Sequence, residues 1–200
     1  MNIIRSVLLH LDATPSSASL LQFAREVALR HEAALSAMFV AAPPQQPLKL
    51  ALSESPAALL QPIDWAALNR AKSIFDKALA DGDLPMRWLE SNGAYAVEAF
   101  RRQALYADLL VLGQRDPAAA LTGSMPAGFV ESVLIGTGKP ALILPFAGRF
   151  ETAARDVLIG WNATPQAAHA LTAALPWLHS ARRVHVLEVT DEPARGPTGE

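Results

Sequence analysis

The residues best suited to chemistry follow an apolar segment near the middle of the chain. Residues 109–112 are all apolar, Gly113 follows them, and Pro126 suits the first turn of a later helical stretch that includes Phe129. An apolar run that ends at a glycine is typical of a buried parallel strand opening into a loop. A strand, a glycine turn and a helix N-terminus can together bind phosphate, because free backbone N–H groups and the helix dipole face the anion. The segment therefore predicts an anion site, if its loop keeps those donors.

Other kinds of chemistry have little support in the sequence. The chain has no cysteine, which excludes thiolate catalysis, disulfides and cysteine-based metal sites and fits a reducing compartment. Its five histidines show no metal-ligand spacing, so we expect no metal site and place each histidine at the surface or at a strand end. The sequence also lacks G-x-G-x-x-G, a P-loop lysine and a G-x-S-x-G elbow. We therefore expect no enzyme of those classes.

Composition limits the size of the fold and the kind of partner. The 200 residues, 51% of them hydrophobic, suffice for one domain and part of another. A net charge of −2 without runs of like charge disfavours nucleic acid and anionic membranes as partners. The first apolar run is interrupted by Arg5 and lacks a cleavage site, so it predicts a strand and not a signal peptide. We expect a cytoplasmic protein.

The elements that must position the loop follow from hydrophobic spacing. The first half predicts a strand at residues 7–11, a helix to about residue 31 and a strand at residues 35–40, with Thr14 capping that helix and Pro15 at its first position. Five prolines at residues 41–62 predict a long surface loop. Then come a helix from Asp64, a strand at residues 86–90 and a helix at residues 96–104, with Trp65 and Trp88 expected in the core.

The alternation predicts the architecture. With the strand ending at Gly113, one further helix and a strand between Pro140 and Pro145, five strands alternate with four helices. This order predicts an α/β fold with a parallel sheet, right-handed crossovers and helices on both faces. Ligands of such sheets lie at the carboxyl ends of strands where the winding reverses, here at Asp12 and Gly113.

The C-terminal part repeats the beginning of the chain. Residues 157–165 align with residues 7–15 at a constant offset of 150, and a helical stretch and another apolar strand follow. A repeat of this kind indicates a second copy of one domain that begins as β-α-β. This copy is too short to bury a core alone.

These segments resemble the universal stress protein family, in particular its tandem type. The resemblance lies in the strand and turn from Val7 to Asp12, residues 107–113, the segment from Lys139 to Pro145 and the restart at Asp156. It implies a Rossmann-like five-stranded parallel sheet in the order 3-2-1-4-5. It also implies a domain at residues 1–147 and an incomplete second copy at residues 154–190, while the composition of residues 191–200 predicts a flexible tail.

The loop differs from that of ATP-binding family members, which share the pattern G-x2-G-x9-G-[S/T]. Gly113 is kept, Asp116 takes the place of the second glycine, and Ala127 and Gly128 stand where the final pair belongs. A carboxylate about 4 Å from a phosphate charge repels it by about 4 kcal/mol at an effective dielectric of about 20. An ordinary hydrogen bond returns roughly 0.5–1.5 kcal/mol. We therefore predict that the loop binds no nucleotide and that the protein has no cofactor.

The resulting prediction is a non-enzymatic stress-response protein that acts by protein–protein association. The resemblance implies a homodimer through the fifth strand, between Pro140 and Pro145, which pairs across the dimer axis in this family. The alternative is an ATP-binding protein, with Mg and at most slow hydrolysis, in which Gly123 and Ser124 supply the missing pair at a shorter spacing. The ATP site that the resemblance then implies consists of Asp12, Val40, Gly113, Arg115, Gly128 and Phe129.

Overall fold

The computed structural model describes residues 4–41, 65–82, 84–92, 96–115, 125, 128–148, 150 and 155–188. They belong to two compact units, which divide between residues 150 and 151. The loop was predicted at residues 41–62; Ala41 belongs instead to the second strand, and residues 42–62 lie outside the described residues, as does the tail at residues 191–200.

The larger unit alternates strands and helices along the chain. Its elements are β1 (Ser6–His10), α1 (Ser17–His31), β2 (Ala34–Ala41), α2 (Trp65–Ala80), β3 (Met86–Asn92), α3 (Ala96–Ala104), β4 (Leu109–Gly113), α4 (Phe129–Thr137) and β5 (Ala141–Leu144). The strands form one parallel sheet in the order β3-β2-β1-β4-β5. The predicted α/β fold and its strand order are therefore confirmed.

The core lies on both faces of this sheet, because side chains of a strand alternate between the faces. On one face, Leu8, Met38 and Leu110 pack in a cluster to which α3 and α4 contribute Phe100 and Phe129. On the other face, Phe39 of β2 packs against buried residues of α2 in a second cluster. The members from α2 are Ala67, Leu68 and Ala71. Helix α1 packs beside α2, and α3 packs beside α4.

Asp108 fastens the starts of β1 and β4 together. Its Oδ2 accepts hydrogen bonds from the backbone N–H groups of Arg5 and Ser6, both at 3.0 Å, and from the Ser6 hydroxyl at 2.8 Å. Partial burial raises the pKa of the carboxyl, but these hydrogen bonds and the charge of Lys139 outweigh that effect and hold the pKa below its ordinary value. This aspartate lies at the amino ends of the strands, opposite the edge where a ligand would bind.

Three local predictions were wrong. Trp65 is the first residue of α2 and is 59% exposed, so it is not a core residue. Helix α1 begins at Ser17 after the N-cap Ser16, because the Thr14 side chain bonds Asp12 and does not cap the helix. Helix α4 begins at Phe129, later than the first turn predicted at Pro126. Trp88, by contrast, packs between Phe39 and Phe75.

The smaller unit consists of β6 (Asp156–Trp161), α5 (Pro165–Leu178) and β7 (Arg183–Glu188), with parallel strands. Its register repeats that of β1 and β2, since Asp156 pairs with Arg183 as Ser6 pairs with Ala34. Thr164 caps α5 by accepting a hydrogen bond from the Ala167 N–H at 3.3 Å.

Residues of the smaller unit are exposed where the equivalent residues in the first β-α-β segment of the larger unit are buried. No residue of α5 is buried, and all of β7 is exposed. Leu158 is 65% exposed, whereas Leu8, its counterpart at the offset of 150, is 1% exposed. The described β-α-β segment therefore has no core of its own. Among the helices of the described residues in either unit, none combines the length and apolar character needed to cross a membrane.

Candidate functional site

The candidate site lies where β1, β2 and β4 end and α4 begins. Of the six predicted site residues, three belong to or follow these strand ends: Asp12 after β1, Val40 near the end of β2 and Gly113 at the end of β4. Arg115 is exposed two residues after β4. Gly128 and Phe129 are the N-cap and first residue of α4.

Asp12 is held by contacts within its own turn. Its Oδ1 accepts hydrogen bonds from the Thr14 N–H at 3.1 Å, from the Thr14 hydroxyl at 2.7 Å and from the Ser17 hydroxyl. The residue is buried. These bonds join the end of β1 to the start of α1, as an acidic side chain near a helix N-terminus does in many turns. The contacts therefore give Asp12 a structural role that needs no ligand.

Val40 and Phe129 are brought together, but within the core. Both side chains are buried and belong to the cluster that Leu8, Met38 and Leu110 form on the sheet. A residue must expose some surface to contact a nucleotide directly. In this conformation neither side chain offers such a surface.

The backbone position of Gly113 has a packing explanation. A Cβ added at this residue would lie 3.3 Å from Cδ2 of Leu20, which belongs to α1. That distance is shorter than ordinary van der Waals contact, so a larger residue would require the Leu20 side chain to move by a few tenths of an ångström. Close packing against α1 is thus one reason for a glycine at this position that involves no phosphate.

The start of α4 carries one feature suited to an anion and one that opposes it. Gly128 adopts a left-handed conformation, with φ 71° and ψ 13°, and a Cβ added there would meet no atom of the described residues within 4 Å. However, Glu131 lies in the first turn, where its negative charge interacts with the helix dipole and repels a phosphate. Gly128 also provides no hydroxyl group.

Several residues of the predicted phosphate loop are not among the described ones. Asp116, Gly123, Ser124 and Pro126 fall in this group. The repulsion expected from Asp116 therefore stays a prediction. Within the described residues, no three histidine or acidic side chains are placed to hold a metal ion.

His10 is the residue at this edge that sequence reasoning missed. It ends β1 and is only 1% exposed. Its ring lies 4.4 Å from that of Phe129 and 5.6 Å from that of Phe100, between centroids. Burial lowers the pKa of His10 to about 4, although the nearby charge of Asp12 acts in the opposite direction. The sequence did contain a signal for this burial. His10 lies two residues after Leu8 on the strand and therefore on the same face of the sheet, which Met38 and Leu110 share.

Comparison with known proteins finds likeness among solved structures. No protein-family model matches the sequence, and no curated protein matches it significantly. A universal stress protein in complex with cAMP is 21% identical, with 73% of this chain and 100% of that chain covered and a TM-score of 0.47. The universal stress protein UspA from Lactobacillus plantarum is 16% identical, with coverages of 72% and 99% and a TM-score of 0.47. A member of the universal stress protein family from Burkholderia pseudomallei is 20% identical, with coverages of 72% and 98% and a TM-score of 0.45.

Proposed function

We propose that this chain is a stress-response protein of the universal stress type that acts by associating with another protein chain and carries out no nucleotide chemistry. The observation that supports this proposal is that residues of the predicted nucleotide site contact other residues of the protein. Val40 and Phe129 are buried in the core, and Asp12 accepts three hydrogen bonds within its own turn. A nucleotide would have to displace these contacts before it gained any of its own.

The first test asks whether nucleotide is bound. The full chain is purified without added nucleotide and denatured, and the supernatant is analysed for ATP, ADP and AMP by chromatography. We expect none, and we expect Mg-ATP to leave the thermal unfolding midpoint unchanged. Adenine nucleotide released in proportion to protein would overturn the proposal.

Two double variants test whether acidic charge is the reason for this expected lack of binding. Glu131→Gln removes the acidic charge from the first turn of α4, whereas Glu98→Gln makes the same change in the first turn of α3 and serves as a control. Because the packing of Val40 and Phe129 is the same in both, we expect Mg-ATP to stabilise neither Asp116→Gly combined with Glu131→Gln nor Asp116→Gly combined with Glu98→Gln. Stabilisation of the first double variant alone would show that acidic charge, and not this packing, prevents binding.

The outer edge of β5 supports association as a homodimer. β5 ends the sheet order and, within the described residues, pairs only with β4. It carries Ile143, which is 45% exposed, and the exposed Phe146 follows it. An unpaired strand edge with exposed apolar side chains favours pairing with another chain.

Light scattering after size-exclusion chromatography tests this association. We expect a mass twice that of the 21.4 kDa chain. Ile143→Lys should give monomer, because it places a charge on the edge strand. Leu105→Lys is the control. It places the same charge on another exposed aliphatic side chain, which precedes β4, and should leave the dimer intact. A monomeric wild-type chain at micromolar concentration would contradict this part of the proposal.

The alternative function is ATP binding with Mg. It is supported by the left-handed Gly128 at the start of α4 and by the exposed Arg115 beyond β4. It predicts the released nucleotide that the first test seeks, and loss of that nucleotide in Gly128→Val. The buried state of Val40 and Phe129 makes it the second choice.

Two further parts of the proposal concern location and domain organisation. A cytoplasmic location fits a chain without cysteine. Residues 154–190 as the start of a second copy are supported by the matched registers of β1 with β2 and of β6 with β7. Residues 1–147 form the first domain in this proposal.

A further inference from the structure

His10, Phe100 and Phe129 form a cluster of three rings that joins β1, α3 and α4. The ring centroids of His10 and Phe129 are 4.4 Å apart, those of Phe100 and Phe129 are 5.3 Å apart, and those of His10 and Phe100 are 5.6 Å apart. The planes of His10 and Phe100 meet at 86°, an edge-to-face arrangement favoured by aromatic pairs. We call this group the three-ring cluster. It connects the end of β1 to both helices on one face of the sheet.

The imidazole in this cluster has no polar partner among the residues that the structure describes. Neither Nδ1 nor Nε2 of His10 forms a hydrogen bond with any of them, and both atoms are shielded from solvent. A neutral ring can be accommodated in such a place at the cost of its lost hydrogen bonds. A charged imidazolium without a partner costs far more, because charge is strongly disfavoured in an apolar surrounding. The packing therefore depends on the neutral form of His10.

The charged groups around the cluster do not compensate an imidazolium. β2 and β4 contain no charged residue. On α3, Glu98 pairs with Arg101, whose guanidinium lies against Gly136 of α4, and Arg102 is exposed. On α4, Glu131 is exposed. After β1, the carboxylate of Asp12 attracts a positive His10, but burial has the larger effect on the ring and lowers its pKa.

Among the helices of the larger unit, α4 buries the fewest residues. It has nine residues, of which only Phe129 and Val133 are buried. Helix α1 buries seven of its fifteen residues. Loss of the Phe129 contact would thus remove one of the two buried anchors of α4, while α1 would keep its packing. Elements with few buried contacts open first in native proteins.

We propose that the three-ring cluster is an acid-sensitive latch, in which neutral His10 holds α4 against the end of β1 and protonation of His10 releases α4. Release exposes the N-terminus of α4 and the apolar side chains beneath it. The device adds a response to acidification that the proposed association does not require. It operates at the edge of the sheet where ligands of this fold class bind.

Amide hydrogen exchange of the full chain, followed by mass spectrometry, tests the latch. Exchange is measured at pH 7 and pH 5 and corrected for the intrinsic pH dependence of amide exchange. In the wild-type chain we expect protection of α4 to fall at least about 10-fold at pH 5 and to stay below that of α1 at both pH values, because α4 opens without unfolding of the whole unit. His10→Phe keeps an aromatic ring that does not titrate, so α4 should keep its protection at pH 5. His169→Phe alters an exposed histidine of α5 and should behave like the wild type.

The outcomes separate the latch from general acid unfolding. Equal protection of α1 and α4 in the wild type at pH 5 would overturn the proposal, because α4 would then open only when the whole unit unfolds. Unchanged protection of α4 at pH 5 would also overturn it, as would the same loss in His10→Phe. If His10→Phe does not fold, His10→Leu replaces it, since leucine also lacks a titratable group. Retained α4 protection in that variant supports the latch, and loss overturns it.

Discussion

The stability of the larger unit should fall as the pH decreases from 7 to 5, and His10 should be a main cause. The folded-state pKa of His10 is about 4, whereas an unperturbed histidine has a pKa of about 6.5. Between these values the unfolded chain binds a proton that the folded chain excludes, so acidification favours unfolding. The contribution of neutral His10 to the free energy of unfolding is fully present above the unfolded-state pKa and is lost as the pH falls towards the folded-state pKa.

The size of the effect follows from the difference between the two pKa values. About 6.5 minus about 4 leaves roughly 2.5 pKa units, and each unit corresponds to about 1.4 kcal/mol, so the full effect is about 3 kcal/mol. At pH 5 about 2 kcal/mol of it should already be lost. For a domain of this size that corresponds to a decrease in Tm of roughly 4–8 °C.

Urea unfolding followed by circular dichroism at pH 7 and pH 5 provides the assay. The wild-type chain should lose about 2 kcal/mol more between these conditions than His10→Phe, which has no group to titrate at this position. His179→Phe, which removes an exposed histidine, should match the wild type. The pKa of Asp108 is held below its ordinary value, so its contribution declines only at lower pH and is shared by all three proteins. Equal pH dependence in the wild type and His10→Phe would refute the reasoning.

Three other substitutions test contacts that position the sheet and helices. Asp108→Ala should lower the free energy of unfolding in urea by about 2 kcal/mol, because three hydrogen bonds to the start of β1 are lost; a change within experimental error would contradict the role of this residue. Gly136→Ala should stabilise α4 by about 1 kcal/mol only when combined with Arg101→Ala, because a Cβ at Gly136 overlaps the Arg101 guanidinium; the same effect in both backgrounds would argue against that contact. Asp12→Asn should leave Tm nearly unchanged whereas Asp12→Ala costs about 1–2 kcal/mol, because Asn162 accepts the equivalent hydroxyl bond at 2.7 Å in the repeat; equal losses in thermal unfolding would show that the charge is required.

The predicted site residues illustrate why a position can be found without its role. The end of β4 was predicted correctly and the edge of the sheet where α4 begins was identified, because a strand and a helix of this order must meet at one edge. Gly113 was read as a phosphate-loop glycine, yet its neighbour is Leu20, from an element far away in sequence. Phe129 was predicted within the helix that follows β4, but its burial depends on His10 and Phe100. Contacts of this kind carry no local signal.

The sequence by itself determined the order of the elements, the parallel sheet and the repeat of its first β-α-β unit. These features follow from local spacing of apolar residues and from the handedness of crossovers, which are properties of neighbouring residues. Only the tertiary structure decided that Trp65 is exposed and that His10 is buried with no polar partner among the described residues. The reason is that burial and hydrogen bonding depend on which distant segments pack over a residue, and three-dimensional packing alone brings those segments together.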